Sequence, residues 1–296
     1  MYFHSDSKVF LDGKWVNASR ATASLYNQTL HYGYGVFDGM RSYKNAEGCN
    51  IFKAHAHFNR LLDAADKLKI ELSYTTEELV NIAYQLLEKN GLQTAYIRPL
   101  VYLGPNMELT IEGTPHIFMG AWPWKKYLGH DPVDVMVAEQ RKPTSETTPI
   151  NGKIVGNYTN SILASSQAKK LGYHEAILLD IDGYVAEGPA SNFFYERDGV
   201  LFTPTSKHAL PGITRRTIME LARNWGIEVI EKNITLHEVY QADHAFFTGT
   251  ASEVTPINSI NGEKMKGTWE ESHGHSLYMM YLQLVTNNEF QGLTIV

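Results

Sequence analysis

The period of hydrophobic and polar positions changes several times along the chain, and each change marks an element. The run Val9-Phe-Leu-Asp-Gly-Lys-Trp-Val16 breaks at Asp12-Gly13, a pair suited to a tight primed turn, so it predicts a β-hairpin. A Gly- and aromatic-rich stretch, Gly33 to Tyr43, predicts short strands that turn through Asn45–Gly48 into Ile51-Phe52. From Ala54 to Lys69 the period becomes helical, with Phe58, Leu61, Leu62, Ala65 and Leu68 on one face. Thr75 and Glu78 form a capping box for a second helix that stops at Asn90-Gly91. Two apolar runs, Ala95–Leu103 and His116–Trp122, read as strands. Strand pairs with two helices predict an α+β unit for the first half.

The segment from Pro123 to Pro132, bounded by prolines and polar between them, reads as a linker. Beyond it the pattern predicts a strand over Val133–Glu139, a Pro- and Thr-rich loop over Lys142–Pro149 and a helix over Asn157–Leu171. Three short strands follow, Glu175–Leu179, Tyr184–Glu187 and Asn192–Tyr195, with turns at Asp182-Gly183 and Asp198-Gly199. A helix over Thr214–Trp225, a strand over Glu228–Ile230, a short helix near Glu238, a strand at Ala245–Phe247 and a last helix over Ser276–Leu284 complete the pattern. Many short strands joined by tight turns predict a mixed barrel or sandwich with helices outside. The expected organisation is therefore two domains: 1–122, a small α/β sandwich; 123–132, a linker; and 133–296, a larger barrel-like domain.

Composition narrows the function classes. A net charge of −6 and a pI near 6.1 argue against nucleic acid as the main partner, which demands a basic surface. Cys49 is the single cysteine, so no intramolecular disulfide can form. The start, MYFHSDSKVF, lacks the basic and apolar runs of a signal peptide, and no stretch reaches the roughly 20 apolar residues of a membrane span. These features predict a soluble, cytoplasmic protein with no membrane partner.

Lys153 is the focal residue for chemistry. It lies in Ile150-Asn-Gly-Lys-Ile-Val-Gly156, flanked by apolar residues and glycine rather than by other charges. Burial of a lysine favours the free amine, a nucleophile toward carbonyls. Glu187 ends an apolar strand just before Gly188-Pro189, a position from which a carboxylate can meet a pyridine nitrogen and keep it protonated. Pro211-Gly212-Ile213-Thr214 opens a helix, whose free N–H groups suit a phosphate, and the Gly249-Thr250-Ala251-Ser252 turn offers further donors. Arg60 can add a guanidinium fork to the same phosphate. The glycines of His31-Tyr-Gly-Tyr-Gly-Val-Phe-Asp-Gly39 precede strands, not a helix, so a dinucleotide site is not expected and a pocket-lining strand is. His55 and His57, and likewise His273 and His275, read as solvated side chains, and no metal set is expected.

Together these strings resemble the class IV (fold type IV) pyridoxal-phosphate aminotransferases and, within them, the branched-chain amino acid enzymes. The resemblance runs from HYGYGVFDGMRSY through KIVGNYTNSILA, AEGPASNFF and LPGITRRTI to FFTGTASEVTPI, with Glu187 34 residues after Lys153. It implies that Lys153 is the Schiff-base lysine and proton shuttle and that Glu187 binds the pyridinium nitrogen. Tyr158 would bond the ring oxygen. Arg60, Gly212, Ile213, Thr214 and Thr250 would hold the phosphate, Leu210 would pack on the ring and Asn192 would position the site. For substrate it implies Tyr96 and Arg98 on one strand, an apolar wall of Phe37, Trp124 and Tyr127, contributions from Gly39 and Ala251, and Tyr32 reaching a neighbouring subunit of a homodimer. The implied partners are amino acids and 2-oxo acids. Asp38 stands where the family usually has glutamate, and Ile154-Val155 where small residues are commoner. The D-amino acid aminotransferases and 4-amino-4-deoxychorismate lyases of the same fold stay as alternatives, although Leu100 replaces the histidine of the former.

Overall fold

The computed structural model describes residues 4–46, 48–124, 128 and 131–286. Tyr127, Glu47 of the expected Asn45–Gly48 turn and several linker positions lie outside the described residues. The chain forms two compact units, Met1–Lys125 with Asn151–Asn157, and Lys126–Ile150 with Tyr158–Val296.

The first unit opens with β1 (Lys8–Leu11) and β2 (Lys14–Asn17). Leu11 pairs with Lys14, and Asp12 and Gly13 both have positive φ, the primed geometry read from the sequence. A helix not foreseen, α1 (Gln28–Tyr32), is capped by the Asn27 side chain and ends on Gly33 at φ +67°. Then come β3 (Gly35–Phe37), β4 (Met40–Asn45), β5 (Gly48–Ile51), α2 (Ala54–Lys67), α3 (Thr76–Lys89), β6 (Ala95–Leu103) and β7 (Pro115–Pro123). The capping box of Thr75 and Glu78 is present at the start of α3. The strands form one antiparallel sheet, β2-β1-β7-β6-β4-β5, with β3 on β6. Phe58 and Leu61 of α2 and Leu79, Ala83 and Leu86 of α3 join Ile97, Val101 and Met119 of the sheet in one buried core. Each large apolar side chain buried this way contributes about 1.5–3 kcal/mol.

The second unit contains β8 (Val133–Arg141), α4 (Thr159–Lys170), β9 (Glu175–Leu179), β10 (Val185–Glu187), β11 (Asn192–Arg197), β12 (Val200–Pro204) and α5 (Ile213–Asn224). It continues with β13 (Val229–Lys232), α6 (Leu236–Tyr240), β14 (His244–Gly249), β15 (Glu253–Ile260), β16 (Glu263–Lys264) and α7 (His273–Thr286). The sheet order is β10-β9-β8-β15-β14-β11-β12-β13, with β16 on β15; the β8–β9, β8–β15 and β12–β13 pairs are parallel. The sequence pattern omitted β12, β15 and β16, whose polar and proline positions hide the apolar alternation. None of the described helices is long and apolar enough to cross a membrane.

The pattern places the Lys153 stretch with the larger domain, but its main chain packs on the first unit. The Phe37 amide donates to the Lys153 carbonyl (2.9 Å), Ile154 bridges Val36, and the Gly156 amide donates to Gly33 (3.0 Å). A Cβ on Gly33 would lie 2.8 Å from Gly156 Cα, so this crossing requires glycine there.

Candidate active site

In the first unit, β3 delivers Phe37 to the Lys153 stretch, and the Lys153 ammonium lies 5.5 Å from the Phe37 ring centroid. The guanidinium of Arg98, from β6, stands 4.7 Å from the centroid of that same ring. Arg98 Nη2 donates to the Tyr96 hydroxyl (2.9 Å), while its buried Nε has no hydrogen-bond partner. Tyr96 stacks on Trp124 at 4.6 Å between centroids. A Cβ on Gly39 would come within 1.9 Å of the Tyr96 hydroxyl, so glycine there keeps the tyrosine in place. Lys153, Phe37, Gly39, Tyr96, Arg98 and Trp124 thus share one neighbourhood in which two cations face aromatic rings. Such a wall accepts an apolar side chain and offers a carboxylate one charged partner.

Behind this lies Asp38, fully buried. Its Oδ1 accepts from the Gly39 amide (2.7 Å), His57 Nδ1 (2.8 Å) and Arg60 Nη2 (2.8 Å), and its Oδ2 from Arg60 Nε (2.8 Å). Burial pushes the Asp38 carboxyl up, but the Arg60 and His57 contacts outweigh it and hold the group far below the usual carboxylate range. Burial pushes His57 below its ordinary value, against the opposing pull of Asp38; the cations Arg60 and Lys153 push the same way as burial. His57 is therefore no solvated side chain. Its place on the inner face of α2, 1% exposed, makes it part of the Arg60 support. His55, two residues before it, is exposed and meets Glu77.

In the second unit, Glu187 ends β10 and is 5% exposed. Asn192 Nδ2 donates to its Oε2 (3.0 Å) and also to the Leu210 carbonyl (2.8 Å), while the Leu210 amide donates to the same Oε2 (3.1 Å). On Oε1 sits Lys142 Nζ, 2.5 Å away. Burial works against the Lys142 ammonium, yet Glu187 and then Tyr158 outweigh it and raise the lysine above its ordinary value. Lys142 was not singled out from the sequence. Its only local sign is a lysine following Arg141 at the end of an apolar strand, and its partner is far along the chain.

The two turns read from the sequence as anion-binding also belong to this unit. Gly212 is the N-cap of α5, with Ile213 and Thr214 as its first residues and no side chain capping their amides. A Cβ on Gly212 would lie 1.9 Å from Asn192 Oδ1, which ties the helix start to the Glu187 cluster. Thr250 and Ala251 are half-buried in the turn after β14, and on either side of them the buried hydroxyls of Thr248 and Ser252 lack hydrogen-bond partners. Tyr32 stands apart from all these groups. It is 46% exposed, and its hydroxyl donates to the Met107 carbonyl.

The amino-transferase class IV family matches residues 35–260, a span that contains Lys153, Glu187 and both anion-binding turns. The chain belongs to the amino-transferase class IV family. A class IV relative, the branched-chain-amino-acid aminotransferase of Pseudomonas aeruginosa, is 38% identical over 287 residues, covering 95% of this chain and 94% of that protein. The branched-chain aminotransferase of Thermoproteus uzoniensis with norvaline superposes with a TM-score of 0.91 at 37% identity, over 96% of each chain. The branched-chain amino acid aminotransferase of Thermobaculum terrenum, in its PLP-form (holo-form), gives 0.87 at 30% identity, over 95% of this chain and 94% of that one. The α+β, fold type IV architecture is thus established, and this class IV protein is an aminotransferase dependent on pyridoxal 5'-phosphate.

The residues present fit that cofactor. A carboxylate has about four acceptor positions, and three donors occupy Glu187, which leaves one on Oε1 for a protonated ring nitrogen. The orphaned hydroxyls of Thr248 and Ser252 and the uncapped start of α5 are donors suited to a phosphate.

Proposed function

We propose that the protein transfers amino groups between L-leucine, L-isoleucine or L-valine and 2-oxoglutarate. The observation that carries this reading is the joint presentation of Lys153 and Arg98 on the Phe37 ring, beside Tyr96 and Trp124. Aliphatic side chains meet the aromatic wall. The side-chain carboxylate of glutamate meets Arg98, whose buried Nε otherwise stays unsatisfied.

Pyridoxal phosphate, when bound, supplies a ring that takes up the electron pair left as the substrate loses its α-proton. Lys153 Nζ would hold the cofactor and would serve as the base that takes that α-proton and returns it on the product side. Glu187 keeps the ring nitrogen protonated, with Asn192 and the Leu210 amide fixing its orientation. Tyr158 would donate to the ring oxygen, and Leu210 would help hold the ring. Arg60, Ile213, Thr214 and Thr250, with the close approach allowed at Gly212, hold the phosphate. Gly39 and Ala251 leave room for the substrate.

A homodimer completes the reading. Leu25, Tyr26, Leu30, Tyr32, Met107, Leu109 and Ile111 are all exposed, on α1, on the segment before it and on the loop that Gln28 and Tyr32 tie to α1. A patch of this kind marks a protein interface, and we assign it to a second copy of the chain. The cytoplasm is the expected compartment.

A panel of amino donors against 2-oxoglutarate tests the assignment. L-leucine, L-isoleucine and L-valine should all be used. Activity confined to D-amino acids, or elimination from 4-amino-4-deoxychorismate without amino transfer, would contradict it.

A further inference from the structure

Lys142 lies at the end of β8, where its amide donates to the Leu179 carbonyl at 2.9 Å and fixes its main chain beside β9, the neighbour of β10. From there the side chain, 13% exposed, runs inward and places Nζ 2.5 Å from Glu187 Oε1. That oxygen holds the one acceptor position of Glu187 not already filled, because Asn192 and the Leu210 amide both occupy Oε2. The ammonium and a ring nitrogen proton must therefore share Oε1. We propose that Lys142 is a positioning residue that aims Glu187 through Oε1 and sets how strongly the bound ring nitrogen keeps its proton. This rests on the reading that Glu187 meets the ring nitrogen.

The sign follows from Coulomb's law. With Lys142 present, the bound ring adds a second positive charge beside one buried carboxylate. Without Lys142 the pair carries one positive charge fewer nearby, so every protonation of the coupled pair becomes easier. A like charge within about 4–6 Å is worth roughly one to three pH units. Tyr158 is the other titratable group acting on the lysine, and it strengthens the ammonium. Three carboxylates on the adjoining elements bond elsewhere. Asp180 takes the Asp182 and Tyr184 amides, Glu175 the Ala176 amide, and Asp134 the Asn258 and Ser259 side chains. His208, two residues before Leu210, bonds to none of these groups. Among the groups named, Lys142 is the one bonded to Glu187 Oε1.

The test is the pH titration of the ring-nitrogen ¹⁵N resonance in holoenzyme loaded with labelled pyridoxal phosphate. Lys142→Met keeps most of the stem and removes the charge, so the ring nitrogen should lose its proton about one to three pH units higher than in the parent. Lys142→Arg restores a cation and should titrate with the parent. Lys142→Gln provides the same reading if the methionine variant fails to fold. A neutral variant that titrates with the parent would overturn the proposal, since a packing role leaves the resonance where it was. Glu187→Gln distinguishes the two layers. If it moves the titration while the Lys142 variants do not, Glu187 is the ring partner and the proposal about Lys142 is wrong. If it moves nothing, the Glu187 reading itself fails.

Discussion

Two carboxylates hidden from solvent, Asp38 in the first unit and Glu187 in the second, are held in opposite ways. Asp38 receives four donors, three on Oδ1 and one on Oδ2, and all come from its own neighbourhood: Gly39, His57 and twice Arg60. Glu187 receives three and keeps one position on Oε1. Burial costs both groups solvation, and both recover it through a buried cation. Two of the four donors to Asp38 come from Arg60, so Asp38 fixes the Arg60 guanidinium. The open centre is incomplete without a further donor. The source and placing of the donors therefore distinguish Asp38 from Glu187, the carboxylate we assign to the cofactor, where burial alone does not.

The largest effect should come from opening the closed centre. Asp38→Ala leaves Arg60 without its buried anion and should cost about 3–5 kcal/mol of folding stability, read by urea unfolding. A loss under about 1 kcal/mol, the scale of an exposed pair, would show that Asp38 is not the keystone of that cluster. At the open centre the effect should fall on rate. Glu187→Gln should lower kcat by about 10²–10³, the scale of one preorganised electrostatic partner. It also strands Lys142, so adding Lys142→Met should recover stability and leave the rate low. Recovery of the rate as well would break the contrast between the two carboxylates.

Arg98, with its unpartnered Nε, is the open group of the first unit. Arg98→Leu should reduce kcat/KM for glutamate by about 10² and for leucine much less, because only glutamate presents a side-chain carboxylate. Equal losses would mean that Arg98 reads the carboxylate common to every substrate, as the D-amino acid reading requires.

The smallest effect is the acid dependence of the closed centre. Asp38 is depressed on folding from an ordinary value of 3.8, so its contribution is complete above that pH. As the pH falls below it, the unfolded chain takes the proton first, and stability should drop by about 1.4 kcal/mol per pH unit. His57, lowered from 6.5, adds a slope of the same sign that begins below that value. Urea midpoints against pH should show this slope in the parent and lose the Asp38 part in Asp38→Asn. An unchanged slope would place the acid sensitivity elsewhere.

Much of the frame was legible because its signals are local. Asp12-Gly13, the Thr75–Glu78 box and the apolar stripe of α2 each specify structure within a few residues, and each stands where the pattern placed it. Lys153 and Glu187, the residues on which the proposed function rests, were singled out from their own strings. What the sequence hid is pairwise and distant. Lys142 looks like a loop lysine until β8 and β9 pair and bring it to β10. His57 looks solvated because its partner, Asp38, lies on the main chain between β3 and β4 rather than on its own helix. The Lys153 stretch looks like part of the second unit because sequence order says so, whereas its hydrogen bonds run to Phe37 and Gly33.

The account stands most directly on which lysine carries the cofactor. Borohydride reduction of the holoenzyme followed by peptide mapping should give one covalent pyridoxyl adduct, on the peptide that contains Lys153. An adduct on another lysine, above all on Lys142 beside Glu187, would contradict the account.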